Sequence, residues 1–171
     1  MVGAEISSLR SPARNFGEGS WRMGVRVLVA EDEALIALSL ADLLEAEGHD
    51  VVLAPDGAEA LDAARRLGDA LAALVTDLNM PRMGGEDLIR AVRAERPGLP
   101  VVVVTGSAPF GGVEALRRDA GGHGPLLLLL KPPDYAELAA ALRRAVVAGA
   151  APPADDRGPA PETLPSMELA D

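Results

Sequence analysis

The chain has 171 residues with no cysteine, one tryptophan, one tyrosine and two phenylalanines. Disulfides, thiolate chemistry and cysteine-ligated zinc are therefore excluded, and the core of what its length suits, one ordinary domain, must be built from Val, Leu, Ile and Ala. Sixteen basic against 26 acidic residues leave a net charge of −10, which argues against non-specific binding to nucleic acid or to an anionic membrane.

Residues 1–24 are rich in Gly, Ser, Arg and Pro and carry no sustained period. They read as a disordered leader, or as untranslated sequence if synthesis begins at Met23, and they lack the compact apolar core of a signal peptide. The β-branched run Val25 to Ala30 predicts a strand that ends at Glu31-Asp32-Glu33. Ala34 to Glu47 carries Leu35, Ile36, Leu38, Leu40, Leu43 and Leu44 at helical spacing, with Gly48 placed to stop it. Asp50 to Ala54 predicts a short strand, and the Pro55-Asp56-Gly57 turn leads into a helix from about Ala58 to Leu67.

The stretch Leu74 to Gly85, L-V-T-D-L-N-M-P-R-M-G-G, organises the rest. The strand Leu71 to Thr76 ends in a polar pair, Thr76 and Asp77, then a loop with Pro81 and two glycines opens a helix over Glu86 to Glu95. Pro100 to Val104 predicts an all-apolar strand that closes on Thr105-Gly106-Ser107. Gly112 to Asp119 predicts a weak, glycine-hemmed helix, and Leu126 to Leu130 a fifth strand before Lys131-Pro132-Pro133. That last run is far too short to span a bilayer. Asp134 to Ala148 predicts the final helix, with Asp134 and Glu137 at capping-box spacing. Residues 149–171, proline-rich and acidic, read as a disordered tail.

Five strands alternate with five helices, and the strands are continuous apolar runs. That predicts an α/β domain over residues 25–148: a three-layer, doubly wound, five-stranded parallel sheet. In such a sheet the carboxyl ends of the strands share one edge, where ligands collect. Glu31 and Asp32, Asp77, Thr105 and Lys131 all fall at those ends. Three carboxylates and one ammonium leave about −2 of charge, and at ~4 Å two carboxylates repel by about 4 kcal/mol at an effective dielectric of ~20. A hard cation or raised pKa values relieve this, and an all-oxygen donor set suits Mg²⁺. The site then receives a dianionic phosphoryl group without prohibitive repulsion. Taken singly, each of these residues has a plainer reading: Asp77 as a turn residue, Glu31 to Glu33 as an acidic first helical turn, Thr105 as a cap and Lys131 as a solvated strand end. His49 and His123 read as surface or satisfied histidines, and Met80 and Met83 as loop packing.

V-R-V-L-V-A-E-D-E, V-T-D-L-N-M-P-R-M-G-G, V-V-V-V-T-G and L-L-L-L-L-K-P-P, in this order and each at a strand end, resemble the receiver domain of bacterial two-component response regulators. The resemblance covers about Val25 to Ala148. It implies a flavodoxin-like sheet of strand order 2-1-3-4-5 and Asp77 as phosphoacceptor from a phosphohistidine of a sensor histidine kinase or phosphotransfer protein. It further implies Mg²⁺ held by Glu31, Asp32, Asp77 and the Asn79 backbone carbonyl. Lys131 and Thr105 would bind phosphate oxygens, the Asn79 side chain would lie over the phosphate, and the Lys131–Pro132 peptide would be cis. Such a protein is a cytoplasmic signalling module rather than an enzyme with a separate substrate.

Two positions depart from the family pattern. Glu31 stands where Asp is usual, and Leu128 stands where a switching Tyr or Phe is common. With the glycine-rich fourth helix, this leads us to expect a readout by ordering or disorder of residues 106–124 rather than by an aromatic switch. No basic recognition helix follows Ala148, so a stand-alone receiver without nucleic-acid contact is expected, signalling through a downstream protein or acting as a phosphate shuttle. The alternatives are a phosphatase of the haloacid dehalogenase type and a degenerate receiver that only binds. The first wants an Asp two residues after the nucleophile, where this chain has Asn79. The second is disfavoured by the intact Asp77, Thr105 and Lys131.

Overall fold

A computed structural model of the chain describes residues 24–150. The expected leader, the alternative start at Met23 and most of the expected tail lie outside the described residues. Five strands form one parallel sheet: β1 (Arg26–Ala30), β2 (Asp50–Ala54), β3 (Leu71–Thr76), β4 (Val101–Thr105) and β5 (Leu126–Leu130), in the order β2-β1-β3-β4-β5. The helices between and after them are α1 (Ala34–Ala46), α2 (Gly57–Leu67), α3 (Gly85–Glu95), α4 (Gly112–Ala120) and α5 (Tyr135–Ala150). This is the flavodoxin-like order that the resemblance implies. A single 3₁₀ turn, Gly68–Ala70, joins α2 to β3 and was not expected from the sequence.

The pleat sorts the apolar runs into two cores. Val27, Val29, Val75, Val102 and Val104 face Leu40 and Leu44 of α1 and Leu138 and Leu142 of α5. Leu28, Leu74, Val101, Val103 and Leu126 face the other way, onto Leu88 and Ile89 of α3 and Leu116 of α4. Because both faces are covered, the strands need no polar alternation, which is why they read as unbroken apolar runs. Full burial of one such side chain is worth about 1.5–3 kcal/mol.

Local chemistry sets the helix ends. Gly48, at φ 93°, ends α1 by donating its N–H to the Glu45 carbonyl, a left-handed turn that glycine adopts without a Cβ clash. Asp56 caps α2, its Oδ1 accepting from the N–H groups of Ala58 at 2.8 Å and Glu59 at 3.0 Å. Asp134 caps α5 through the Glu137 N–H at 3.1 Å, and α5 runs two residues beyond the expected Ala148. The helix α4 packs better than its glycine flanks suggested, because Ala115, Leu116 and Ala120 are all buried. Near the end of α3, Arg93 is buried at 3% exposure. Its guanidinium donates to the carbonyls of Gly121, Gly124 and Pro125. Burial, reinforced by the nearby Arg117 charge, pushes its pKa down.

His49 is half-buried in the turn before β2, and its Nδ1 accepts the Val25 N–H at 3.4 Å. Burial lowers its pKa below the ordinary 6.5, with Glu47 opposing and Arg143 assisting. A histidine depressed in the folded state contributes stability that is present above its unfolded pKa and lost as the pH falls through the folded value. The wild-type urea midpoint is therefore expected to fall more steeply than that of His49→Gln between about pH 7.5 and about pH 5.5. Equal slopes for the two proteins would show that His49 does not couple folding to protons.

Candidate functional site

Strand register brings the polar ends together. Ala30 of β1 pairs with Thr76 of β3, so Glu31 and Asp77 leave the sheet side by side, and the Asp77 N–H donates to the Ala30 carbonyl at 3.0 Å. Thr105 of β4 pairs with Leu130 of β5, and the Lys131 N–H donates to the Thr105 carbonyl at 2.8 Å. Four segments far apart in the chain thus deliver Glu31, Asp32, Asp77, Thr105 and Lys131 to one edge. The Lys131–Pro132 peptide is cis.

The carboxylate oxygens of Glu31, Asp32 and Asp77 can all lie within 4.8 Å of one another. Glu31 and Asp77 are buried, whereas Asp32 is exposed to solvent. Among these acids sits Lys131, its side chain 14% exposed. Its Nζ donates to Asp77 Oδ2 at 2.7 Å and to Glu31 Oε1 at 3.0 Å. Glu31 Oε2 is also 2.8 Å from the ammonium, but it is buried without a hydrogen bond of proper geometry. The pair is a one-oxygen hydrogen bond plus a close charge contact, which leaves Oε2 with lone pairs to offer. Asp77 Oδ1 accepts from the Leu78 N–H at 2.5 Å and the Asn79 N–H at 3.2 Å.

Electrostatics follow from burial. Desolvation pushes the Glu31 carboxyl up, against the pull of Lys131. Burial works to lower the Lys131 pKa, but the hydrogen bonds to Asp77 and Glu31 outweigh it and the ammonium is held above its ordinary range. Lys131 is therefore a fixed positive charge. An all-oxygen acidic donor set, with one buried oxygen lacking a donor and one acid open to water, fits a hard divalent cation that keeps part of its hydration shell. Thr105 is fully buried, and its Oγ1 has no hydrogen-bond partner. A buried hydroxyl left unpaired costs free energy unless something else accepts from it.

The remaining expectations sort cleanly. Glu33 is exposed and precedes α1, and its backbone N–H donates to Glu31 Oε1 at 3.3 Å. Met80, Met83 and Leu128 pack partly buried against the core. His123 lies away from the site, its Nε2 about 3.5 Å from where a Cβ on Gly98 would stand. Asp56 and Arg82 were not singled out from the sequence. Asp56 is buried and pairs with Arg82 of the loop after β3. The Asp56-to-Glu59 spacing, an acid three residues before another at a helix start, was a legible cap signal.

Residues 27–143 match the family described as the response regulator receiver domain. The chain is 38% identical over 107 residues to a response regulator receiver protein of Anaeromyxobacter, covering 63% of this chain and 42% of that one. It is 38% identical over 122 residues to the transcriptional regulatory protein PdtaR of Mycobacterium tuberculosis, covering 71% of this chain and 56% of that one. The chain thus spans about half the length of these curated relatives. Among solved structures it resembles the chemotaxis protein CheY4 of Vibrio cholerae, at TM-score 0.63 and 26% identity over 71% of this chain and 98% of that one. It also resembles the receiver domain of the hybrid histidine kinase CckA, at TM-score 0.58 and 29% identity over 71% of this chain and 98% of that one.

One glycine is fixed by the site. A Cβ on Gly85 would overlap the Asp77 carbonyl oxygen and stand 2.9 Å from Leu78 Cα. Gly85→Ala is expected to destabilise the fold by about 1–3 kcal/mol, as overpacking does. A urea midpoint unchanged from wild type would refute that close packing.

Proposed function

The chain belongs to the response regulator receiver family of two-component signalling, and from that premise we propose that Asp77 is its phosphoacceptor. The observation that carries this reading is the Lys131 ammonium, 2.7 Å from Asp77 Oδ2 and in contact with Glu31 at the same edge. A lysine so placed balances the buried Glu31 and Asp77 carboxylates and stays within reach of whatever Asp77 receives. It neutralises a phosphoryl group arriving at Asp77.

A carboxylate oxygen of Asp77 attacks the phosphorus of a donor phosphohistidine. The new O–P bond forms as the P–N bond breaks, and the imidazole nitrogen leaves with the electron pair. With its other ring nitrogen protonated, the donor imidazole leaves as neutral histidine, and Asp77 becomes an aspartyl phosphate. Glu31, Asp32, Asp77 and the Asn79 carbonyl would hold Mg²⁺, which supplies charge neutralisation for the transferred phosphoryl oxygens. Lys131 binds a second phosphoryl oxygen, for which it exchanges its bond to Asp77. The partnerless Thr105 hydroxyl donates to a third. Catalysis here is positioning and charge stabilisation, which a rigid sheet edge provides.

The donor is a sensor histidine kinase or histidine phosphotransfer protein. Beside Lys131 a cleft of about 380 Å³ runs between Ile36 and Leu40 of α1 and Pro132, Pro133 and Tyr135. Leu35 and Tyr135 are exposed along it. An apolar surface contiguous with the phosphoacceptor suits a protein donor better than a small phosphomonoester. Among the described residues no helix is long and apolar enough to cross a membrane, and the reading places the domain in the cytoplasm with its output through a protein partner.

Incubation with acetyl phosphate and Mg²⁺, followed by intact mass, tests the assignment. One phosphoryl group is expected on the wild type and none on Asp77→Ala. Thr105→Val is expected to slow adduct formation by about 10²-fold, the scale of losing one charge-stabilising donor. A wild type without an adduct would point to a binding module, and steady turnover of varied phosphomonoesters to a phosphatase.

A further inference from the structure

The loop from Leu78 to Gly84 carries Asn79 and is tied to α2 by contacts that the phosphoacceptor chemistry does not itself require. Arg82 has φ 63°, the only non-glycine residue in the left-handed region among the described residues. Such a conformation is unfavourable for a residue with a Cβ and persists where surrounding contacts over-determine it. Arg82 pairs through one terminal nitrogen with Asp56 Oδ2 and, at 2.9 Å, with Glu59 Oε1.

Asp56 is 1% exposed. Its Oδ1 is spent on capping α2, so Oδ2 is the oxygen left for a cation. Arg82 is the only basic side chain with which it forms an ion pair among the described residues. The backbone follows the same tie: the Gly57 N–H donates to the Met83 carbonyl at 3.2 Å, and the Met83 N–H turns back on the Pro81 carbonyl at 2.7 Å. A Cβ on Gly57 would stand 2.8 Å from Met83 Cγ, so α2 and the loop are in direct contact. At the other end the Gly85 N–H donates to the Leu78 carbonyl at 2.9 Å. The span containing Asn79 is therefore pinned at both ends, at Leu78 by α3 and at Arg82 and Met83 by the start of α2.

We propose that Arg82 is a positioning residue for the metal site: by clasping Asp56 and Glu59 at the amino end of α2, it holds the 79–83 loop so that the Asn79 carbonyl faces the acids Glu31, Asp32 and Asp77. The inference rests on the reading of Asn79 as a metal ligand given above. It adds a support that the site acids do not reveal, since Arg82 touches none of them among the contacts described.

Mg²⁺ titration by calorimetry, together with amide exchange of the metal-free protein, tests it. Arg82→Gly removes the clasp while glycine keeps the left-handed backbone without strain, and its circular dichroism spectrum checks that the variant is folded before Mg²⁺ is titrated. It is expected to bind Mg²⁺ about tenfold more weakly, the low end of what outer-shell partners of a metal site contribute, and to exchange the 79–83 amides faster. Arg82→Lys, which keeps a cation for Asp56, is expected to restore most of the affinity. A purely structural role would lower the thermal midpoint of Arg82→Gly and leave its Mg²⁺ affinity unchanged, which overturns the proposal. If the wild type binds Mg²⁺ and Arg82→Gly binds it equally, only this inference falls. If the wild type binds none, the metal reading falls and takes this inference with it.

Discussion

One ammonium makes the acidic edge of this sheet possible. Glu31 and Asp77 are buried side by side because β1 and β3 pair in register. Two carboxylates at such a separation repel by about 3–4 kcal/mol at an effective dielectric of ~20. Lys131, delivered by β5 from the far side of β4, stands between them. Its raised pKa and the raised pKa of Glu31 are two sides of one arrangement. Burial penalises every charge here, and the cation survives because it serves both acids at once. The order β2-β1-β3-β4-β5 is what allows it: any shift of β5 relative to β4 would carry the Lys131 backbone off the Thr105 carbonyl.

On the proposed phosphoacceptor reading, the arrangement also explains why the chemistry needs so little apparatus. Phosphoryl transfer asks for oxygens to be placed and charge to be balanced, and both are satisfied by main-chain geometry at strand ends. Leu78 and Asn79 direct N–H groups at Asp77 Oδ1, while Glu33 directs one at Glu31 Oε1. Each acid is thus oriented by its own loop. A domain with a single tyrosine and no cysteine can work this way because the groups at this edge are aliphatic acids, an amine and a hydroxyl held by a Val- and Leu-rich sheet.

Much of this was legible in the sequence for a definite reason. Strands buried on both faces appear as bare apolar runs, so β3, β4 and β5 announce themselves, and the polar residue that breaks each run is the one at the functional edge. Asp77, Thr105 and Lys131 were visible as interruptions. What stayed hidden depends on contacts between loops. Asp56 looked like a turn residue because nothing local says that Arg82 will reach it. The burial of Arg93 was equally silent, since its partners are the backbone carbonyls of Gly121, Gly124 and Pro125, and a carbonyl has no letter in the sequence. The helix α4 was underrated because its glycine flanks obscured the short apolar stripe Ala115, Leu116 and Ala120.

Arg93 gives α3 a mechanical character. The helix starts at Gly85, whose backbone lies against that of Asp77. Its eleven residues, a rod of about 16 Å, bring the guanidinium of Arg93 to the turn between α4 and β5 at the opposite end of the sheet. A rod held at one end by the loop after β3 and at the other by three carbonyls is a strut: it ties the neighbourhood of Asp77 to residues 121–125 and, through them, to the start of β5.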